Sequence, residues 1–197
     1  MIEIGYSLRS LEGRSGDRAV VVNRKGGVLI CAIDGLGHGD AAAEAADAAA
    51  RSVETSAGEP LEEIIANCHE ALIKTRGAVL TLVDFDTEAR RLEWVGVGNV
   101  EARLLPFGAP PVPGQGAAAT LFGGVLGHNL PPIRSSGHDV SVGDLLVMAT
   151  DGVRADYATD LVLSGSPKAI ADRVLDRSAR SDDDALAVVA RFLGGWR

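Results

Sequence analysis

Apolar residues recur along this chain in two rhythms, and the alternation between them predicts the elements. Ile2–Leu8, Arg18–Asn23 and Gly27–Ile33 read as strands, with Lys25-Gly26-Gly27 as a turn. A glycine-rich stretch, Asp34-Gly35-Leu36-Gly37-His38-Gly39, then leads into a helical segment that Asp40 is placed to cap. On that helix Glu44, Asp47, Arg51 and Glu54 fall three or four apart and share a solvent face, opposite a flat face of alanines. Pro60 opens a second helix. Its Leu61, Ile64, Ile65, Cys68, Ala71 and Leu72 form an apolar stripe, and Gly77 is placed to stop it.

Three strands follow at 78–85, 91–97 and 100–105, and then a Pro- and Gly-rich surface loop from Pro106 to Gly116. Asp139–Val142 and Leu145–Thr150 read as a hairpin around Gly143-Asp144. Ser166-Pro167 opens a helix reaching about Arg180, and Asp184–Phe192 is a last apolar strand. Helices set between groups of antiparallel strands predict an α+β fold, a layered sandwich, formed as one domain over residues 1–197.

Composition narrows the class. With 46% hydrophobic and 23% charged residues the chain is globular, not disordered. Its net charge of −8 argues against non-specific binding to nucleic acid, which needs basic patches. The N-terminus lacks the basic and apolar regions of a signal peptide, and no run approaches the roughly 18 apolar residues of a membrane helix. Cys31 and Cys68 both fall on apolar positions. They read as buried, reduced thiols, which suits a cytoplasmic location.

Acidic clusters mark the ends of three apolar strands. Asp34 follows Val28–Ile33, Asp151 follows Leu145–Thr150, and Asp182-Asp183-Asp184 precede Ala185–Val189. If those strands are neighbours, their ends gather several carboxylates. Like charges at close range repel and raise one another's pKa, and a divalent cation relieves the repulsion. Oxygen-only ligands favour Mg²⁺, Mn²⁺ or Ca²⁺ over zinc. Taken singly, each piece has a plain reading, since Asp-Gly is a common turn pair and an Asp triplet can be a solvated loop. His38, four residues after Asp34, is placed either to donate a proton to a leaving group or simply to pack as a loop histidine. His69, His128 and His138 lack the pairing of a zinc site. A rival reading also exists, because Gly37, Gly39 and Ala42 satisfy G-x-G-x-x-A between a strand and a helix, as in dinucleotide binding. The acids at the matching distance, Glu62 and Glu63, lie on the second helix and not at a strand end. Walker A, G-x-S-x-G and EF-hand patterns are missing.

In order along the chain stand Asp17, Asp34-Gly35-x-Gly37-His38-Gly39, Gly96-x-Gly98-Asn99, Thr150-Asp151-Gly152 and Asp183-Asp184. This series resembles the metal-dependent protein phosphatases, the PPM or type 2C family, and most closely its bacterial SpoIIE-like branch. The most specific part is Val140–Val153, a strand, a Gly-Asp turn, a second strand and Thr-Asp-Gly. The resemblance implies a four-layer αββα sandwich binding two Mn²⁺ or Mg²⁺ ions. Asp34 would bridge both ions, the Gly35 carbonyl would bind one, Asp151 and Asp183 the other, and Asp17 would act through a metal-bound water. The implied reaction is in-line attack of a metal-generated hydroxide on phosphoserine or phosphothreonine. Arg14 and Arg18 flank Asp17 and are the candidates for binding phosphate. Gly16 stands where many members have Glu, and Asn99 where many have an acid, so a third ion is not assigned. Likeness to the small stressosome phosphatases of the branch implies phosphorylated STAS-domain regulatory proteins as partners, in stress signalling. The alternative is a non-catalytic module of the same fold that binds a phosphoprotein without hydrolysing it.

Overall fold

A computed structural model of the protein describes residues 1–108, 116–159 and 161–194. The elements run β1 (Ile2–Arg9), β2 (Asp17–Arg24), β3 (Gly27–Gly35), α1 (Asp40–Ser56), α2 (Leu61–Leu72), β4 (Ala78–Asp86) and β5 (Arg91–Val97). They continue as β6 (Glu101–Leu105), β7 (Ala117–Ala118), β8 (Leu121–Phe122), β9 (Ser136–Asp139), β10 (Leu145–Ala149), α3 (Pro167–Ser178) and β11 (Ala185–Phe192). One sheet has the order β1-β11-β10-β6-β7, and the other β2-β3-β4-β5-β8 with β9 also on β5. Among the described residues every strand pairing is antiparallel except the short parallel contact of β5 with β8.

The layers follow from the two-residue period of the strands. In β3, Leu29, Cys31 and Ile33 pack against α1 and α2, while Val28, Ile30 and Ala32 face the other sheet. In β11, Leu186, Val188 and Ala190 face inward between the sheets, and Ala185, Ala187 and Val189 pack under α3. β10 divides in the same way, with Leu146 and Met148 between the sheets and Leu145 and Val147 under α3. Both faces of these strands are covered, which is why they read as unbroken apolar runs. Each fully buried Leu or Ile contributes about 1.5–3 kcal/mol relative to exposure. The result is helix, sheet, sheet, helix, the αββα order expected. The alanine face of α1 lets it lie close on the strand ends, where Gly35 leaves no room for a side chain (a Cβ there would stand 2.2 Å from the Ala42 carbonyl oxygen).

Several local expectations are corrected. The residue that caps α1 is Gly39, at φ 74°, and Asp40 is the first helical residue, with no side-chain capping bond. Ala71 is exposed, so the buried stripe of α2 is Leu61, Ile64, Ile65, Cys68 and Leu72. The hairpin over 139–150 does not form. Ser141 and Asp144 do close a tight turn, but β9 pairs with β5 in one sheet and β10 with β6 and β11 in the other, so the turn crosses between sheets. Ser166 caps α3 as expected, accepting from Ala169 N at 3.3 Å ahead of Pro167. The dinucleotide reading of Gly37–Ala42 fails on topology, since β3 and β4, on either side of the two helices, are antiparallel neighbours and make no βαβ crossover. Of the loop from Pro106 to Gly116, residues 109–115 lie outside the described residues.

Candidate active site

Strand parity aims four side chains at one end of the space between the sheets. Continuing the inward series of β3, Val28, Ile30 and Ala32, brings Asp34 to that face. Counting on from Leu146 and Met148 gives Thr150, and counting back from Leu186 gives Asp184. In β2, Asp17 shares the parity of Ala19, which also packs between the sheets. The Asp-bearing strands are therefore not all lateral neighbours. β10 and β11 pair in one sheet, while β3 lies in the other, and the acids meet across the sandwich.

Asp17 and Asp34 are directly opposed on β2 and β3. Asp17 is buried and accepts a hydrogen bond at 2.8 Å from the Thr150 hydroxyl, which reaches it from the opposite sheet. That hydroxyl in turn accepts from Leu186 N at 2.9 Å. Burial pushes the Asp17 carboxyl up to about 7, helped by the charges of Asp184, Asp151 and Asp183, although the Thr150 bond pulls the other way. Burial, followed by the charges of Asp17 and Asp151, pushes Asp34 up to about 9. The nearness of the Asp151 carboxyl adds to the rise at Asp34. Burial and the charge of Asp151 also raise Asp183.

Asp34, Asp151 and Asp183 line an open cavity of about 430 Å³, together with Leu36, Gly37, Val79, Gly98, Asn99 and the segment Gly123–Val125. Asn99 donates to Asp151 Oδ2 at 2.8 Å and fixes its orientation. Among the described residues no three His, Cys, Asp or Glu side chains are drawn together tightly enough to enclose an ion. The donor set nevertheless fits a divalent metal. It consists of oxygen ligands, and burial and neighbouring charge raise Asp17, Asp34 and Asp183 above the ordinary carboxylate range, a penalty that a hard cation removes.

The expected site residues divide by position. Asp17, Asp34, Asp151 and Asp183 converge, and Gly35 sits among them, its N–H donating to the Gly16 carbonyl at 2.9 Å. His38 is exposed on the loop before α1, and its ring has no hydrogen-bond partner among the described residues. Arg14 pairs with Asp47 of α1 at 2.6 Å, and Arg18 holds the other oxygen of Asp47 at 2.7 Å. Asp184, which the sequence marks only as part of the acidic run and of the Asp183-Asp184 pair, gains a role of its own. Buried, it accepts from Leu11 N at 2.7 Å and from Gly16 N at 2.6 Å, and so ties down the loop that leads into Asp17. Its signal was its parity with the inward face of β11.

The family description Stage II sporulation protein E (SpoIIE) matches residues 24–193. The chain belongs to the SpoIIE family. Phosphoserine phosphatase RsbX of Bacillus subtilis (strain 168) is 41% identical over 73 residues, 36% of this chain and 37% of that protein. The match thus spans well under half the length of that relative. A solved structure of the bacterial stressosome, described as a modular system adapted to control secondary messenger signaling, superposes with a TM-score of 0.85 at 28% identity. It covers 97% of this SpoIIE-family chain and 100% of that one. RsbX in complex with magnesium superposes with a TM-score of 0.81 at 23% identity, over 96% and 94% of the two chains. The PP2C phosphatase domain of SpoIIE from Bacillus subtilis gives 0.79 at 16% identity, over all of this chain and 64% of that one. These last two share the fold.

Proposed function

We propose that this protein is a divalent-metal-dependent phosphoprotein phosphatase that hydrolyses phosphoserine or phosphothreonine on a regulatory protein. The observation that carries the reading is the convergence of Asp34, Asp151 and Asp183 from both sheets on one open cavity, with buried Asp17 directly beside Asp34, in a chain of the SpoIIE family. Asp34, Asp151, Asp183 and the Gly35 carbonyl would hold two Mn²⁺ or Mg²⁺ ions. When bound, such ions acidify a water to a nucleophile at neutral pH and offset charge on the phosphoryl oxygens.

The chain's own residues set the stage for that chemistry. Buried Asp17 lies directly opposite Asp34 on the neighbouring strand, behind the groups that would hold the ions. Thr150 keeps Asp17 in place from the opposite sheet, and Asn99 orients Asp151. Asp184 fixes the approach to β2 through Gly16. Leu36 and Val79 give the cavity an apolar flank, and the glycines at 123 and 124 leave it open to a substrate side chain.

The likeness to RsbX, a phosphoserine phosphatase, and to a stressosome structure supports a phosphorylated STAS-domain component of a stressosome-like assembly as the partner. The two free, buried thiols and the lack, among the described residues, of any helix long and apolar enough to cross a membrane suit an enzyme acting in the cytoplasm. The test is hydrolysis of a phosphoserine peptide after chelation, with Mn²⁺, Mg²⁺ or nothing restored, and Asp151→Asn alongside. Metal-restored turnover that is lost in the variant is expected. Metal-independent phosphopeptide binding without turnover would instead identify a binding module.

A further inference from the structure

The charged groups lining the cavity are Asp34, Asp151 and Asp183, with Asn99 as a neutral donor. A phosphate monoester dianion entering such an acidic site gains most from a guanidinium, whose planar donors match phosphoryl oxygens. Arg14 and Arg18 are both engaged by Asp47, and Arg18 also donates to the Ser15 and Asp17 carbonyl oxygens at 2.8 Å. Neither guanidinium is available without breaking an ion pair.

Arg76 is placed differently. It lies between α2 and β4, and its Nη1 stands 2.8 Å from the point where a side chain on Gly37 would begin. Gly37 lines the cavity and has φ +86°. Arg76 Nη1 thus occupies space that a side chain on Gly37 would take, next to a residue of the cavity lining although Arg76 does not itself line the cavity. The side chain is exposed, and it has no hydrogen-bond or ion-pair partner among the described residues. Its backbone, by contrast, is firmly held. His128 Nε2 lies 2.9 Å from the Arg76 carbonyl oxygen, Leu36 N donates to the Gly77 carbonyl at 3.0 Å, and Gly77 N donates to the Thr75 hydroxyl at 3.0 Å. The bond from Leu36 ties the turn to the glycine loop beside Asp34. A fixed backbone with a free cation at the tip is a suitable construction for meeting an incoming anion.

We propose that Arg76 is the substrate-binding arginine of this site, closing on the phosphoryl oxygens of a phosphate monoester at the mouth of the Asp34–Asp151–Asp183 cavity. The proposal rests on the phosphatase reading for its substrate, but not for its test. Arg180 is the nearest competitor. It lines a separate recess of about 200 Å³ that shares Asn99 and Asp151 with the main cavity but reaches neither Asp34 nor Asp183.

The experiment is calorimetric titration of inorganic phosphate into the full chain in Mg²⁺, using wild type, Arg76→Ala, Arg76→Lys, Arg14→Ala and Arg180→Ala. Mg²⁺ binding alone and p-nitrophenyl phosphate kinetics are measured on the same samples. Arg76→Ala is expected to weaken phosphate binding about 10- to 100-fold, the loss of charge-assisted hydrogen bonds. Lys should recover part of it, and Mg²⁺ binding and the other two variants should stay within about twofold. Three results would overturn the proposal. They are Arg76→Ala binding phosphate as wild type does, the variant losing Mg²⁺ along with phosphate, or a wild-type protein that binds no phosphate. Phosphate binding through Arg76 with no turnover of any phosphoester would support the proposal and refute hydrolysis.

Discussion

Adjacent aspartates in the Asp183-Asp184 pair should respond to substitution in opposite ways. Asp184 is buried, and each of its carboxylate oxygens takes a backbone N–H, from Leu11 at 2.7 Å and Gly16 at 2.6 Å. Asp184→Ala strands both donors in the interior, and at roughly 1.5–3 kcal/mol for each bond to a charged group the loss is about 3–6 kcal/mol. Asp184→Asn keeps one acceptor but sets its amide against the other N–H, for about 2–3 kcal/mol. In a chain of this size that is a fall in Tm of about 5–10 °C. Asp183 sits in a different balance. It is half-buried, among the described residues its Oδ1 accepts only from the neighbouring Asp184 N at 2.9 Å, and it faces the charges of Asp151, Asp184 and Asp182. The amide oxygen of Asp183→Asn can keep that local bond while the repulsion disappears. The chelated variant should be as stable as wild type, or more stable by up to about 1 kcal/mol. Guanidinium unfolding in EDTA at neutral pH, followed by circular dichroism, reads both. Asp184→Asn within about 0.5 kcal/mol of wild type, or Asp183→Asn losing as much as Asp184→Asn, would refute the division of labour.

Three further outcomes follow from the same geometry. Because the folded-state pKa of Asp17 is raised from 3.8 to about 7, the stability it contributes is fully present below 3.8 and is lost as pH rises through about 7. In EDTA the protein should therefore weaken by about 1.4 kcal/mol per pH unit from this residue between pH 5 and 7, whereas stabilisation by Mn²⁺ should grow; melting that strengthens throughout this range in EDTA contradicts the placement. Gly152→Ala puts a Cβ 1.7 Å from the Asp184 carbonyl oxygen, so soluble yield and Tm should drop sharply, by about 3 kcal/mol or more, and a variant that melts like wild type would contradict the packing. Thr150→Val removes the donor to Asp17 and the acceptor for Leu186 N, and should cost about 1–3 kcal/mol while raising the pH at which Mn²⁺ begins to stabilise the protein.

Much of this architecture was legible in the sequence because the inner strands are covered on both faces. Runs such as Val28–Ile33 and Ala185–Val189 can hardly be anything but core, and the Pro60 and Ser166-Pro167 signals place α2 and α3 within a residue or two. Pairing was less legible. Gly143-Asp144 announces a turn, but a turn does not say which strands it joins, and here it passes from one sheet to the other. The strands β7 and β8 are two residues each and carry no period to detect. At the site, strand ends marked the acids Asp34, Asp151 and Asp183. The clamp at Asp184 and the reach of Thr150 to Asp17 depend on which face each residue takes, and that needs the register of both sheets. Arg76 was invisible, because nothing local links a turn after α2 to Gly37, 39 positions earlier.

The most direct test of the central claim is phosphate release from a phosphoserine peptide by the chelated protein before and after addition of Mn²⁺ or Mg²⁺, with Asp34→Asn as the control. The account predicts turnover that appears only with the metal and is lost in Asp34→Asn, although that variant folds. Turnover in EDTA, or equal turnover by Asp34→Asn, would contradict it.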